Sequence, residues 1–502
     1  MHACRPRRQP WLAPAGLCLA ALLAACGTAP ALRLPEPPAA EAALRARAAA
    51  VAQQPALLEG EPVPSEWWRL FQDGGLDALQ REAAQGNLDM LGAAVRIEES
   101  RAQLGLAEAA RQPRLAAQGE LARSALSERS PLARLGAPTR PVDVWSLGLE
   151  AGWEMDFAGY LRRLSESAAA RVDASVYGME MVRVSLAGDI ARTYLLLRGV
   201  QAQQAVLVQN RAIARELLRV VLSRVRHGVA TRFDAAVSAA DIADIDARLT
   251  RLEHQQGILL NTLALLAGKP PREMDAYRMP AGLPPMPALL PIGLPSELAR
   301  QRPDILQAEA RLRAAVADIG AAHADFYPRV RLMGRAGFQA FEFSDLGSWN
   351  TRTFALGPAV HLPVFDGGRL TRNLALSEAR HRAAALAYQH TVLRAWHEVE
   401  DALGAYTSEL ERRTHLQRAQ TAHQDALDAA QQGLREGSAD VVPVLLARRS
   451  LLATQAELAE CATASALSVV SLYRALGGGW SPRCWSRPRR PRRQHNGGGR
   501  HE

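Results

Sequence analysis

Lysine is almost missing from this 502-residue chain: it occurs once, at Lys269, so arginine carries nearly all of the positive charge. Aromatic residues make up only 5%, a composition that suits long Ala-, Leu- and Arg-rich helices better than a compact β-protein. Proline is absent from Val142 to Lys269 and again from Val364 to Val442, which leaves room for uninterrupted helices. Past the N-terminal segment no run of 18 apolar residues exists, so no membrane-spanning helix is expected. Cysteine is too sparse for a disulfide framework, and no paired Cys or His stands at metal-ligand spacing. The 12 histidines form no catalytic cluster; His390, His397 and Glu398 fall along one helix and read as a solvated face. Asp366-Gly367-Gly368 lacks the Lys-Ser/Thr of a phosphate loop. Neither a catalytic residue, a cofactor site nor a metal site is therefore expected, and an enzyme is disfavoured.

The net charge of +9 suggests a nucleic-acid binder until it is located. Arg5, Arg7 and Arg8 supply part of it, and the seven arginines of residues 481–502 supply most of the rest. The body between is close to neutral, which argues against a phosphate-binding surface and against a nucleic-acid partner. The basic start is followed by an apolar run, too short for a comfortable span, that ends at Cys26. Leu23-Ala24-Ala25-Cys26-Gly27 resembles the bacterial lipobox, in which the cysteine is lipidated and becomes the mature N-terminus. Residues 1–25 thus read as a lipoprotein signal peptide and 26–64 as anchor and Pro/Ala-rich tether. Residues 481–502, rich in Arg, Pro and Gly, read as a disordered tail.

Between these ends the pattern occurs twice. AQLGLAEAARQPRLAAQGELA, with Gly105 and Pro113, matches ADIGAAHADFYPRVRLMGRAG, with Gly320 and Pro328, at an offset of 215. Arg226-His227-Gly228 returns as Arg435-Glu436-Gly437 at an offset of 209. Each unit reads helix, strand, strand, long helix, tight turn, long helix. From Ser165 to Arg226 the helical pattern never breaks, about 90 Å of helix, and from Arg369 to Arg435 about 100 Å. Val172, Val176, Met179, Leu186, Ile190, Leu197 and Val200 form one near-heptad seam; Tyr388, Val392, Ala395, Val399, Ala402 and Tyr406 form another.

The strand candidates alternate instead. Trp145, Leu147, Leu149, Ala151, Trp153 and Met155 interleave with Ser146, Glu150 and Glu154. Val330, Leu332, Ala336 and Phe338 interleave with Arg329, Arg331 and Arg335; Phe354 to Val364 repeats the pattern, and Leu115 to Leu121 does so more weakly. Strands of about ten residues, apolar on one face and charged on the other, fit a barrel wall between lipid and water. Four strands cannot close a barrel, and open edges cannot sit in lipid, so several chains must contribute.

On these residues the chain resembles the outer-membrane efflux proteins, the outer-membrane factors of the TolC and OprM type, and within them the NodT-like lipoprotein branch. WWRLFQDGGLDAL from Trp67 is similar to the family's opening. LPSELARQRPDILQAEARLRAAVADIGAAHADFYP from Leu294 is the most specific stretch, above all Arg302-Pro303-Asp304-Ile305. LPVFDGGRL from Leu362 and LYRALGGGW ending at Trp480 complete a likeness over residues 65–480.

The resemblance implies an α+β membrane protein: a homotrimer whose twelve-stranded β-barrel, four strands per chain, continues into a long α-helical coiled-coil tunnel across the periplasm. The expected organisation is a first repeat at 65–270, a linker at 271–293 and a second repeat at 294–480. The implied function is that of the outer-membrane channel of a tripartite efflux system. Its partners are a periplasmic adaptor, an inner-membrane resistance–nodulation–division pump and outer-membrane lipid. The implied adaptor-docking tips are His227, Gly228, Val229 and Ala230 in the first turn, and Glu436, Gly437, Ser438 and Ala439 in the second. Relatives carry aspartates just past the second tip as a gate. Here Pro443 and Leu446 take those places, while Asp440 and Asp234 lie close by, so the entrance is expected to be more hydrophobic and less open to cation block. A periplasmic adaptor, with one hairpin between compact β-domains, fits two strand-bearing repeats less well.

Overall fold

The computed structural model describes residues 57–59, 61–137, 139–293 and 302–480. The signal peptide, Cys26, most of the tether, Leu294 to Gln301 and the tail with Cys484 lie outside the described residues. Among the described residues two compact units are built from interleaved pieces of chain: one from Arg96–Ser175 and Gln307–Tyr388, the other from 57–95, Val176–Leu306 and 389–480.

The first unit holds the sheet. Strands β2 (Arg114–Ser124), β3 (Val142–Met155), β5 (Arg329–Ala340) and β6 (Arg352–His361) hydrogen-bond in the order β2-β3-β5-β6. Every pairing is antiparallel and unbroken, with Leu121 opposite Trp145, Trp145 opposite Ala340 and Phe338 opposite Arg352. The four strands cover the alternating segments, except that β6 ends at His361 and leaves Leu362 and Val364 beyond it. Helices bracket the sheet: α2 (Leu88–Ala109) leads into β2 and α5 (Pro303–Ala324) into β5, while α3 (Tyr160–Arg226) follows β3 and α6 (Arg369–Glu436) follows β6. Inside this unit Arg171 pairs with Asp318 at 2.8 Å and Arg313 with Asp173 at 3.3 Å.

Helix α3 runs 67 residues and α6 runs 68, about 100 Å each. Their starts come from one device. Asp156 accepts from the backbone N–H groups of Leu161 and Arg162, and Asp366 accepts from Gly368 and Leu370. That is capping chemistry, and it starts α3 five residues before Ser165.

The second unit contains α1 (Gly74–Gly86), most of the long helices, and the returning helices α4 (Arg232–Leu266) and α7 (Val441–Ala475), both 35 residues. A short parallel pair, β1 (Leu57–Glu59) with β4 (Leu290–Gly293), also belongs here. Seam residues Leu186, Ile190, Leu197 and Val200 are buried, as are Val392, Ala395, Val399, Ala402 and Tyr406. The opening and closing motifs meet: Trp67 stacks on Tyr473 with ring centroids 5.3 Å apart, and Trp480 sets its edge against Tyr177. Gly478 is needed there, since a Cβ would come 2.9 Å from the Trp67 ring.

Candidate functional site

The sheet has two chemically different faces. One carries Leu115, Leu121, Trp145, Leu147, Leu149, Trp153, Leu332, Phe338, Phe354, Leu356 and Val360, joined across the strands by the observed register. Much of it is bare: Phe354 is 82% exposed, Leu356 79% and Leu115 69%. The opposite face carries Gln118, Glu150, Glu154, Arg331 and Arg335, with Gln118 donating to Glu150 at 2.7 Å and Arg331 pairing with Glu154 at 2.9 Å. An apolar surface of this extent on one side of a sheet marks contact with lipid or protein. Near the middle, Gly148 faces Gly337. A Cβ on Gly337 would sit 2.5 Å from the Leu147 carbonyl oxygen, so the two backbones approach as only glycines permit.

The two tips are built alike. Helix α3 ends as Gly228 turns to φ 74° and the N–H of Val229 bonds the Arg224 carbonyl. Helix α6 ends as Gly437 turns to φ 73° and Ser438 bonds Gly433. Both are left-handed glycine terminations of the Schellman type. His227, Gly228, Val229, Glu436, Gly437 and Ser438 are exposed, and Ala230 and Ala439 are half-buried.

The candidate gate residues divide into two pairs. Asp234 is the third residue of α4. Its Oδ2 accepts from the Thr231 N–H at 2.8 Å and hydroxyl at 2.7 Å, closing a capping box. The Thr231 hydroxyl, then its N–H, hold the Asp234 carboxyl below the usual range. Asp440 is the N-cap of α7 and accepts from Val441 N–H. Both carboxylates therefore serve the helix starts. Leu446, 61% exposed, and Pro443 present apolar surface one turn further on, beside Val442.

Three sets of contacts were not readable in the sequence, although Arg302 and Asp304 stand in its most specific stretch. First, Arg302 is buried (6% exposed) yet fully bonded: Nη1 donates to the Ala475 carbonyl at 2.7 Å, and Nη2 reaches Asp304 at 2.8 Å and Glu398 at 2.6 Å. Burial opposes ionisation of Asp304, but the Arg302 hydrogen bonds outweigh it and hold the carboxyl below its usual range. Glu398 is thus not merely part of a solvated face, although His390 and His397 are exposed as expected. Second, Asn87 donates from Nδ2 to the Leu266 carbonyl at 2.9 Å. Arg302 stands 215 residues after Asn87, and Ala475 stands 209 after Leu266, the same offsets the sequence shows elsewhere. In each joint the residue that opens the helix leading to the sheet grips the last carbonyl of a returning helix. Third, Arg448 on α7 is buried with no partner for Nε, in a pocket it shares with Asp241, Asp244 and Arg248.

The outer membrane efflux protein family model matches residues 79–269 and 294–478. The chain belongs to the outer membrane efflux protein family. It is 32% identical over 478 residues to the outer membrane protein OprJ of Pseudomonas aeruginosa, covering 94% of this chain and 97% of that one. It is 31% identical over 465 residues to the pyoverdine export outer membrane protein OpmQ of the same organism, covering 91% and 95%. Among solved structures, the outer-membrane channel OprN superposes with a TM-score of 0.83 at 29% identity, covering 90% of this chain and 99% of that one. The family's protein is thus an outer-membrane efflux channel, a passive exit duct in the cell's outer membrane. Its family is one of transport proteins. Among the described residues no helix is long and apolar enough to cross a membrane and no three potential metal ligands cluster.

Proposed function

We propose that three copies of this chain close a twelve-stranded barrel in the outer membrane, each giving the sheet β2-β3-β5-β6. The observation that carries this is the pair of free edges, β2 and β6, on a sheet whose apolar face is bare. Such edges cannot face hydrocarbon unpaired, and β6 runs antiparallel to the β2 of a following copy, so closure continues the existing pattern. The apolar face meets lipid; the face with Glu150, Glu154, Arg331 and Arg335 lines water. The long helices then form the periplasmic tunnel. The two joints, whose residues repeat at the sequence's own offsets of 215 and 209, support a duplication, with repeats at 65–270 and 294–480 around a linker at 271–293.

Cys26 is the lipidated residue that anchors the mature chain, after removal of residues 1–25 and ahead of the anchor segment 26–64. The tips His227 to Ala230 and Glu436 to Ala439 receive a periplasmic adaptor, which couples the duct to an inner-membrane pump of the resistance–nodulation–division type. Their exposure and their left-handed glycines, which present backbone groups outward, support that role. Near the second tip Pro443 and Leu446 make an apolar constriction, with Asp440 and Asp234 holding the helix starts. OpmQ is named for pyoverdine export; for this chain the cargo is any small solute that the inner-membrane pump delivers, because the duct performs no chemistry on it.

Planar-bilayer conductance of the purified full-length protein, with its mass in detergent, tests the reading. A trimer giving discrete conductance steps is expected. A monomer that never conducts would overturn it.

A further inference from the structure

The apolar face of the sheet ends in a distinct border. The border lies at the end of the strands away from the helices, where the segments 125–141 and 341–351 join β2 to β3 and β5 to β6. There the residues on this face include Arg123 on β2, Asp143 and Trp145 on β3 and Arg352, the first residue of β6. Phe343 sets its edge on Trp145 at a centroid distance of 5.0 Å. The Arg352 guanidinium lies 4.3 Å above the Trp349 ring and donates through Nη1 to the Trp349 carbonyl. Arg123 is 73% exposed, with Asp143 at 3.7 Å as its ion-pair partner. Most donors of both arginines are therefore free, directly beside a wall that includes Leu121, Phe354 and Leu356. The loop behind them adds exposed Arg129, Arg134 and Arg140 against Glu128.

Arg123 and Arg352 sit on the two edge strands. In one chain they are at opposite sides of the sheet. If β6 pairs with the β2 of the next copy, which is the barrel reading above and on which this inference rests, they become neighbours at each seam. Both project on the lipid face at the loop end. The geometry points to a phosphate clamp at each of the three seams, made of Arg352 over Trp349 from one copy and Arg123 from the next, holding a phosphorylated glycolipid of the outer leaflet.

The chemistry is specific. Two guanidinium forks offer parallel N–H donors to a phosphate, and a guanidinium stacked on an indole is pre-oriented for it. Trp349 and Trp145 suit the boundary between acyl chains and head groups. Exposed leucines in the same loop, Leu132 and Leu135, give apolar contacts next to that boundary. A neutral lipid would satisfy the leucines and leave Arg352 without counter-charge at the border, with Asp143 at 3.7 Å the partner of Arg123 alone.

The test is native mass spectrometry of the delipidated full-length protein mixed with diphosphoryl lipid A or with the same glycolipid stripped of phosphate. The expected result is up to three phosphorylated molecules per trimer, with little retention of the stripped form. Arg352→Gln and Arg123→Gln each lower retention about tenfold, the scale of one lost charge-assisted hydrogen bond. Arg335→Gln, on the opposite face, leaves it unchanged. The same spectra report the oligomer. A trimer whose lipid count ignores both arginines, or that holds the stripped glycolipid equally, overturns the clamp and leaves the barrel standing. A protein that never forms trimers overturns both.

Discussion

Replacing Arg302 by leucine should destabilise the protein by about 3 kcal/mol, and the structure says where that comes from. The change removes Nη1 from the Ala475 carbonyl at 2.7 Å, Nη2 from Asp304 at 2.8 Å and Glu398 at 2.6 Å, and Nε from Asp304 at 3.1 Å. Asp304 stays behind with an 11% exposed side chain, and its nearest remaining cation is the half-exposed Arg394 at 3.5 Å. Breaking a buried pair by removing one partner costs roughly 3–5 kcal/mol; Arg394 keeps the figure at the low end. Glu398, 43% exposed, is in contact with water, so Glu398→Gln should cost no more than about 1 kcal/mol. Changing Arg302 and Asp304 together to leucine should recover most of the loss, because no buried charge is then left alone. The assay is the denaturant midpoint and slope of the helical signal in detergent at neutral pH. An Arg302→Leu protein within 1 kcal/mol of the parent, or a Glu398→Gln protein equally damaged, would refute the reasoning.

Other perturbations have signs fixed by the geometry. Leu446→Asp should convert the entrance to one blocked by divalent cations, while the parent shows weak block in single-channel recordings; strong block of the parent would contradict an apolar constriction. Gly337→Ala puts a Cβ 2.5 Å from the Leu147 carbonyl oxygen and should lower stability by about 1–3 kcal/mol, read as a fall in yield of assembled protein. Asp304 and Asp234 both have depressed folded-state pKa values. Their contributions are complete above the unfolded aspartate value near 4 and lost as the pH falls through the folded values. Acid titration of the helical signal should show this loss, and Thr231→Val should move its onset to higher pH by removing the hydroxyl that favours the Asp234 carboxylate.

Much of the architecture was legible because its signals are local. A proline-free stretch and a near-heptad seam specify α3 and α6 without reference to anything distant. Period-two alternation specifies β3, β5 and β6, and it is strong there because a wall between oil and water tolerates no slip. The turns at Gly228 and Gly437 were visible for the same reason. The missed features are non-local. Arg302 lies 96 residues from Glu398 and 173 from Ala475, and nothing in its neighbours separates a buried arginine from a solvated one. Glu398, between His397 and the core residue Val399, read as surface because its partner is on another helix. Trp67 and Tyr473 stood near the starts of two separate motifs until the fold stacked them. Asp234 was singled out in the sequence but not as half of a capping box with Thr231.

The joint at Ala475 is placed where a fulcrum would be. From there α7 extends 35 residues to the tip beside Gly437, an arm of about 52 Å. Tilting such an arm by about 10° sweeps its far end through roughly 9 Å, while the atoms at the pivot scarcely move. The hydrogen bond of Arg302 to the Ala475 carbonyl lies at that pivot, and the bond of Asn87 to the Leu266 carbonyl lies at the base of the equally long α4. A small rotation at either pinned base would become a solute-sized displacement at the tip, and the two arms differ in one respect: one is pinned by an ion-bearing side chain, the other by a neutral amide.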